Sequence, residues 1–434
     1  MARLALVLLV AGCALCRTAT AQNGITAANV RSLVRQQVAI DGTVDAAAIY
    51  LRGVFFVTTT YGKTLAIDAA SGTIRWEYTP SEYSSWAGSY RMTTATPVAD
   101  PDRAYLYAAS PDGRIQKLAV RDGRVVWSTA ITSLPRREKI ASPLKYFRGR
   151  VIATTGGYIG DASPYQGHVA VLDAASGKLL HVWNSLCSDR PGLLAPASCS
   201  ASGSAIWGRA GAVIDSTTGS IFVATGNGPW DGRSDWGDAV LELDSSATQL
   251  LGNYTPVNTA ELEASDADLG STSPVLLGGN LIVQGGKDGS IRLLDWRHMK
   301  GTTPHRGGER QVIPSGAARF TAPAVLRTAT ATSLFAADNG GTAAWTLVDG
   351  ELRPLWHNGN AGTSPVVADG LLFVYDPGGG LRVYDPATGR ELVKLECGGG
   401  HWNSPIVADG RIALPEGNSN DHAIRGIINI WRLP

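Results

Sequence analysis

The sequence lacks an excess of either charge. Lys and Arg number 38 against 37 Asp and Glu, for a formal net charge of +1, and charged residues make up only 17 % of the 434 residues. A nucleic-acid binder carries a basic surplus, so this balance argues against that class. Long apolar runs are also missing. Past the first two dozen residues no stretch approaches the ~18 uninterrupted apolar residues of a membrane-spanning helix, and no transmembrane span is expected. The seven histidines show no H-x-x-x-H spacing. There is no G-x-S-x-G, no P-loop and no zinc pattern, which leaves the common hydrolase, NTPase and zinc-enzyme signatures without support. Cysteine is scarce, at five. The hydrophobic share, 44 %, excludes general disorder.

The first feature present is a leader. Arg3 precedes an apolar stretch from Leu4 to Leu15, and Ala19-Thr20-Ala21 supplies small residues before Gln22. This predicts a signal peptide over 1–21 and a single domain over 22–434. Val10-Ala11-Gly12-Cys13 allows a second outcome, a lipid anchor at Cys13. Either places the protein in the periplasm or outside the cell. Cys13 and Cys16 lie in the leader, and Cys13-Ala14-Leu15-Cys16-Arg17 lacks the final His of a c-type haem motif, so no haem is expected. Three cysteines remain. Cys187 and Cys199 flank a Pro/Ser/Gly-rich insertion and are expected to form a disulfide in an oxidising compartment. Cys397 reads as a small buried hydrophobe.

Self-similarity is the strongest signal. Gly62-Lys-Thr-Leu-Ala-Ile-Asp68 with Ser71-Gly72 and Trp76 matches Gly167-His-Val-Ala-Val-Leu-Asp173 with Ser176-Gly177 and Trp183. Gly380-Leu-Arg-Val-Tyr-Asp385 with Thr388-Gly389 is a third copy. Pro97, Pro143, Pro274, Pro323, Pro365 and Pro405 each follow a small residue and precede an apolar run. A Pro-less unit around Trp207 to Tyr254 fills the long gap after Pro143. The expected units are 44–78, 94–128, 140–183, 204–254, 270–297, 319–357, 362–396 and 401–433. The period and the Asp-Gly and Gly-rich turns fit four-stranded sheets, so the fold expected is all-β, an eight-bladed β-propeller. The last unit lacks an outer strand of its own, and Ser32 to Ile40 alternates without a blade. That N-terminal strand is predicted to close the last blade and so remove an exposed edge.

The "G-x-x-x-A-x-D-A-x-[ST]-G-x-x-x-W" copies resemble the repeat of the pyrroloquinoline quinone (PQQ) propellers, and "ITAANVRSL" (25–33) is similar to the entry segment of quinoprotein alcohol dehydrogenases. "SAIWGRAGAVID" (204–215), "IFVATGNGPWDG" (221–232), "SDADLGSTSPVLL" (265–277) and "GGKDGSIRLLD" (285–295) come in the order seen in those dehydrogenases. The resemblance implies cofactors, PQQ with calcium, and an alcohol or sugar as substrate. It places Trp207 as the platform under the quinone, Lys287 beside the quinone oxygens, Asn227 as a calcium ligand, and Asp266 or Asp268 as the catalytic base. The residue types suit the chemistry. A flat ring needs an aromatic face, a tricarboxylate needs cations, and calcium takes hard oxygen donors.

The same residues carry plainer readings. Trp207 suits inter-blade packing, Asn227 a turn, Asp266 and Asp268 loop caps, and Lys287-Asp288-Gly289 a hairpin. His401 and Trp402 precede an innermost strand and should face the mouth of the central channel, where they could line a small-molecule pocket. Two features depart from the dehydrogenases. The stretch Thr93-Thr94-Ala95-Thr96-Pro97 has no cysteine where they carry two adjacent ones, and Tyr158 or Ile159 falls where they carry a calcium-binding Glu, with Asp161 nearby. The second functional class is therefore a non-catalytic envelope scaffold, resembling the lipoprotein propeller that assists outer-membrane β-barrel assembly. Its partner would be an envelope protein rather than a channel ligand.

Overall fold

Each copy of the Asp…Gly element makes the same reversal. Asp68 Oδ1 accepts the backbone N–H groups of Ala70 and Ser71, and Gly72 takes φ +73°. Asp173 with Gly177 and Asp385 with Gly389 repeat it. A short carboxylate ties the turn's free N–H groups, and glycine enters the left-handed region without a Cβ penalty. In the computed structural model the described residues are 24–314 and 316–434. The leader and the lipid-anchor alternative at Cys13 fall on residues outside these.

Eight four-stranded antiparallel sheets follow in chain order, over 49–78, 98–130, 145–184, 213–254, 275–314, 324–358, 366–395 and 406–432. The fourth strand of the last sheet is Val34–Ile40, paired antiparallel with Gly426–Arg432. Val34 lies opposite Arg432 and Ile40 opposite Gly426. The short strand Ile49–Leu51 of the first blade touches Ile406–Ala408 of the eighth, so the ring closes as the repeat count predicts. Val38, Phe55, Leu65, Ile428 and Ile430 form one core cluster across that seam. A two-stranded ribbon, Glu138–Lys139 with Gly156–Gly157, stands apart from the blades.

Tryptophans on three outer strands, Trp76, Trp127 and Trp356, each pack one blade on its neighbour. Trp76 Nε1 donates to Val120 O at 2.9 Å, and Trp356 Nε1 to Pro386 O at 2.9 Å. Each ring covers the turn glycine of the next blade: a Cβ on Gly123 would lie 2.6 Å from Trp76, and one on Gly389 2.5 Å from Trp356. Burying such a ring contributes roughly 2–3 kcal/mol.

One boundary differs from expectation. The fifth blade does not end at 297; its outer strand is Gln311–Pro314. Asp295 is not followed by the small-residue-Gly turn. It caps the 3-10 turn Trp296–Met299 by accepting Arg297 N–H, and Trp296 Nε1 bonds the Glu242 carboxylate of the preceding blade. The chain therefore leaves the sheet and returns after a loop.

Cys187 and Cys199 are joined, with Cα atoms 6.1 Å apart, and staple the insertion between the third and fourth blades. Cys397 is half-buried against the cluster between the seventh and eighth blades, and burial pushes its thiol up to about 11. Among the described residues no helix is long and apolar enough to cross a membrane.

Candidate functional site

The segments that lead into the innermost strands converge on a cavity of about 350 Å³. Trp207, Asn227, Asp266, Asp268, Lys287, His401 and Trp402, all singled out from the sequence, line it together. Lys139, Arg209, Phe320 and Tyr165 also line it and were not anticipated. A larger surface hollow of about 580 Å³ lies beside the disulfide-bearing insertion, against His181, Asp189 and Arg233, and gathers none of the expected residues.

One half of the cavity is built on Asp268. The residue is 7 % exposed, and its Oδ1 accepts the Asn227 backbone N–H at 2.5 Å. Its Oδ2 lies 2.6 Å from Lys287 Nζ, which is also 2.8 Å from Asp266 Oδ1 at the rim. Lys287 N–H donates to Asp268 O at 3.0 Å, so the lysine and the carboxylate are fixed to each other by backbone as well. Burial raises the Asp268 carboxyl above its usual range, against the pull of Lys287 and the Asn227 N–H. For Lys287 burial works against the charge, but the two carboxylates prevail and hold its ammonium above the usual range. Its Nζ lies 5.7 Å from the Trp207 ring centroid. Behind this group Asp238, 1 % exposed, accepts Leu269 N–H, and burial pushes its carboxyl up to about 8.

The other half is built on Asp45. This carboxylate is 1 % exposed and accepts His401 Nδ1 at 2.7 Å, Trp402 N–H at 2.8 Å and Ser419 N–H at 3.1 Å. Burial alone would raise it, but His401, with Arg209 and Ser419, holds it well below the usual carboxylate range. His401 and Trp402 are in ring contact at 4.2 Å, and Arg209 covers Trp402 at 4.4 Å. Phe320 continues the aromatic wall, 5.3 Å from Trp402 and 6.2 Å from Trp207. Among the described residues no carboxylate comes within ion-pair distance of Arg209 or Lys139, and Arg209 Nε is buried without a hydrogen-bond partner. Burial, aided by the Arg209 charge, pushes Lys139 down to about 8; burial brings Arg209 down to about 10 against the pull of Asp45. Two under-compensated cations beside an aromatic wall suit a flat anion.

Both departures noted in the sequence have a structural counterpart. The Thr93 and Thr94 hydroxyls donate to Ile140 O at 2.7 Å and Ala141 O at 2.8 Å, tying that stretch to backbone. Tyr158 donates to Pro135 O, Ile159 is 70 % exposed, and Asp161 accepts from Tyr165 OH at 3.0 Å. Asn227 Nδ2 donates to Leu262 O, which leaves its Oδ1 buried without a partner. This amide oxygen suits calcium, but the nearby carboxylates Asp266 and Asp268 are already bridged by an ammonium. Among the described residues no three His, Cys, Asp or Glu side chains converge as metal ligands. The donor set fits a planar anion and does not fit calcium.

A family profile described as outer membrane protein assembly factor BamB matches residues 22–229 and 330–427. The chain is 29 % identical over 242 residues to the quinohemoprotein alcohol dehydrogenase ADH IIB of Pseudomonas putida. That match covers 51 % of this chain and 34 % of the relative, so the chain spans about a third of that dehydrogenase. Among solved structures, the quinohemoprotein alcohol dehydrogenase of Comamonas testosteroni superposes with a TM-score of 0.68 at 16 % identity, over 94 % of this chain and 78 % of that one. BamB from Moraxella catarrhalis superposes with a TM-score of 0.58 at 15 % identity, over 92 % of this chain and 98 % of that one. At these identities the structural likenesses show a shared fold.

Proposed function

The chain belongs to the PQQ-repeat family described as outer membrane protein assembly factor BamB, and on that premise we propose that it is an exported propeller that binds PQQ in the cavity and oxidises an alcohol or sugar. The observation that carries this is the convergence of Trp207, Lys287, Lys139 and Arg209 on one cavity walled by Phe320 and Trp402. A planar tricarboxylate finds there an aromatic face and two under-compensated cations, Lys139 and Arg209, with Lys287 beside them paired to Asp266 and Asp268. The disulfide and the leader-like first 21 residues support a periplasmic or secreted location.

When bound, the quinone supplies a two-electron acceptor for the hydride of an alcohol carbon. The chain's own part is binding and proton handling. Lys139 and Arg209 draw carboxylates, and Trp207 sets the ring plane. Asp268, rather than the rim residue Asp266, takes the hydroxyl proton. Its burial raises the basicity of its carboxylate, and Lys287 with the Asn227 N–H fixes its orientation. Calcium has no place between these carboxylates, because the Lys287 ammonium stands there.

Tryptophan-fluorescence titration of the full chain with PQQ tests the reading. Saturable binding at micromolar PQQ is expected, with Trp207→Ala and Arg209→Ala each weakening it about tenfold. No binding at that concentration, or unchanged affinity in both variants, overturns it. Dye reduction with a panel of alcohols and aldoses then tests turnover. One observation favours the scaffold reading instead: the stretch 93–97, where the resemblance to the dehydrogenases implies adjacent cysteines, has none, and its Thr93 and Thr94 hydroxyls are bonded to backbone. For that reading a pull-down from envelope extract should retain an envelope protein even when Trp207 is replaced.

A further inference from the structure

We propose that the Lys287 ammonium is the cavity's own counter-cation, standing where a divalent ion would sit between Asp266 and Asp268, and that the intact cavity binds no such ion. Nζ lies 2.8 Å from Asp266 Oδ1 and 2.6 Å from Asp268 Oδ2. These are charge-assisted hydrogen-bond distances, and they place one positive charge between two negative ones. The lysine cannot withdraw freely. Its backbone N–H is bonded to Asp268 O, and its side chain is 18 % exposed, with Trp207 nearby. A divalent ion entering here would have to displace the ammonium or share both carboxylates with it, and like charges at such range repel strongly.

The remaining donors are those a hard cation prefers. Asp268 is buried and already oriented by the Asn227 N–H, and Asn227 Oδ1 is buried with no hydrogen-bond partner. What they lack is a third carboxylate, since Asp161 is taken by the Tyr165 hydroxyl. The ammonium therefore compensates two charges that an ion would otherwise neutralise. Removing it leaves two carboxylates and a free amide oxygen, a minimal oxygen-donor set for calcium or a lanthanide. The inference concerns the cavity proposed above to hold the quinone, but not the identity of its organic ligand.

Terbium luminescence sensitised by Trp207 tests it in the full chain, with no quinone present. The parent protein should show no saturable signal and no rise in melting temperature with millimolar calcium. Lys287→Ala should bind terbium saturably at concentrations where the parent shows no signal, and calcium should displace it. Lys287→Arg, which keeps a cation, should behave as the parent. Asp268→Asn added to Lys287→Ala should abolish the gain. Saturable terbium or calcium binding by the parent overturns the proposal, and so does a folded Lys287→Ala that gains nothing. If Lys287→Ala does not fold, the parent's response to both ions still decides. Because no quinone enters, failure here is distinguishable from failure of the PQQ titration.

Discussion

Glu138 and His168 lie buried side by side, with Glu138 Oε1 3.9 Å from His168 Nδ1 and without a hydrogen-bond partner. Burial pushes the Glu138 carboxyl up to about 7 and the His168 imidazole down to about 4. Between about pH 4 and pH 7 burial thus favours the neutral form of both. A carboxyl raised in the folded state contributes stability that is full below its unfolded pKa near 4.5 and is lost as pH rises through 7. A lowered imidazole acts in the opposite sense: its contribution is present above 6.5 and is lost as pH falls through 4. Glu138→Gln removes only the first. Relative to the parent it should gain about 3 kcal/mol at pH 8 over its value at pH 4. Scanning calorimetry across that range checks this, and an equal difference at both ends would contradict it. Legibility at this scale was uneven. Trp207, Asn227, Asp268 and Lys287 sit in stretches whose residue order marks them. Asp45 has no such mark, because its role depends on a partner 356 positions away. Lys139 and Phe320 could have been found. Like Asp268 and Trp402, each stands a few residues ahead of a Pro anchor, where the chain enters an innermost strand.

Blades are the elements, and three of the joints between neighbours are a tryptophan on a glycine turn. Gly123 has φ +72° and faces the Trp76 ring, whereas Gly53 has φ +84° and faces open space. Gly53→Ala should cost only the conformational penalty of the left-handed region, about 1 kcal/mol. Gly123→Ala carries that penalty and also drives a methyl into the ring, so about 2–4 kcal/mol is expected. Urea denaturation of the two variants separates the contributions; equal losses would show that the tryptophan does not hold the joint. The extents of the blades other than the fifth were legible because a Pro anchor or the Asp…Gly turn recurs along the chain. The outer strand of the fifth was not. Where the small-residue-Gly turn should follow Asp295, the chain carries Trp296-Arg297, and Gln311–Pro314 returns from a loop with no local mark.

For the whole molecule, closure decides whether the cavity exists at all. Asp45 and Trp402 come from the first and last units and meet only because the ring is shut. Deleting residues 34–40 bares the edge of Gly426–Arg432. The shortened chain should melt at lower temperature and self-associate in a concentration-dependent way, as exposed edges do. Sedimentation of parent and deletion checks this, and a monomeric deletion with the parent's melting curve would contradict it. The central claim is that the closed ring builds one aromatic, cation-lined cavity for a planar tricarboxylate. The most direct measurement is a crystal structure of the chain grown with PQQ. The account predicts the ring plane against Trp207 with carboxylates at Lys139 and Arg209; an empty cavity, or quinone bound elsewhere, would contradict it.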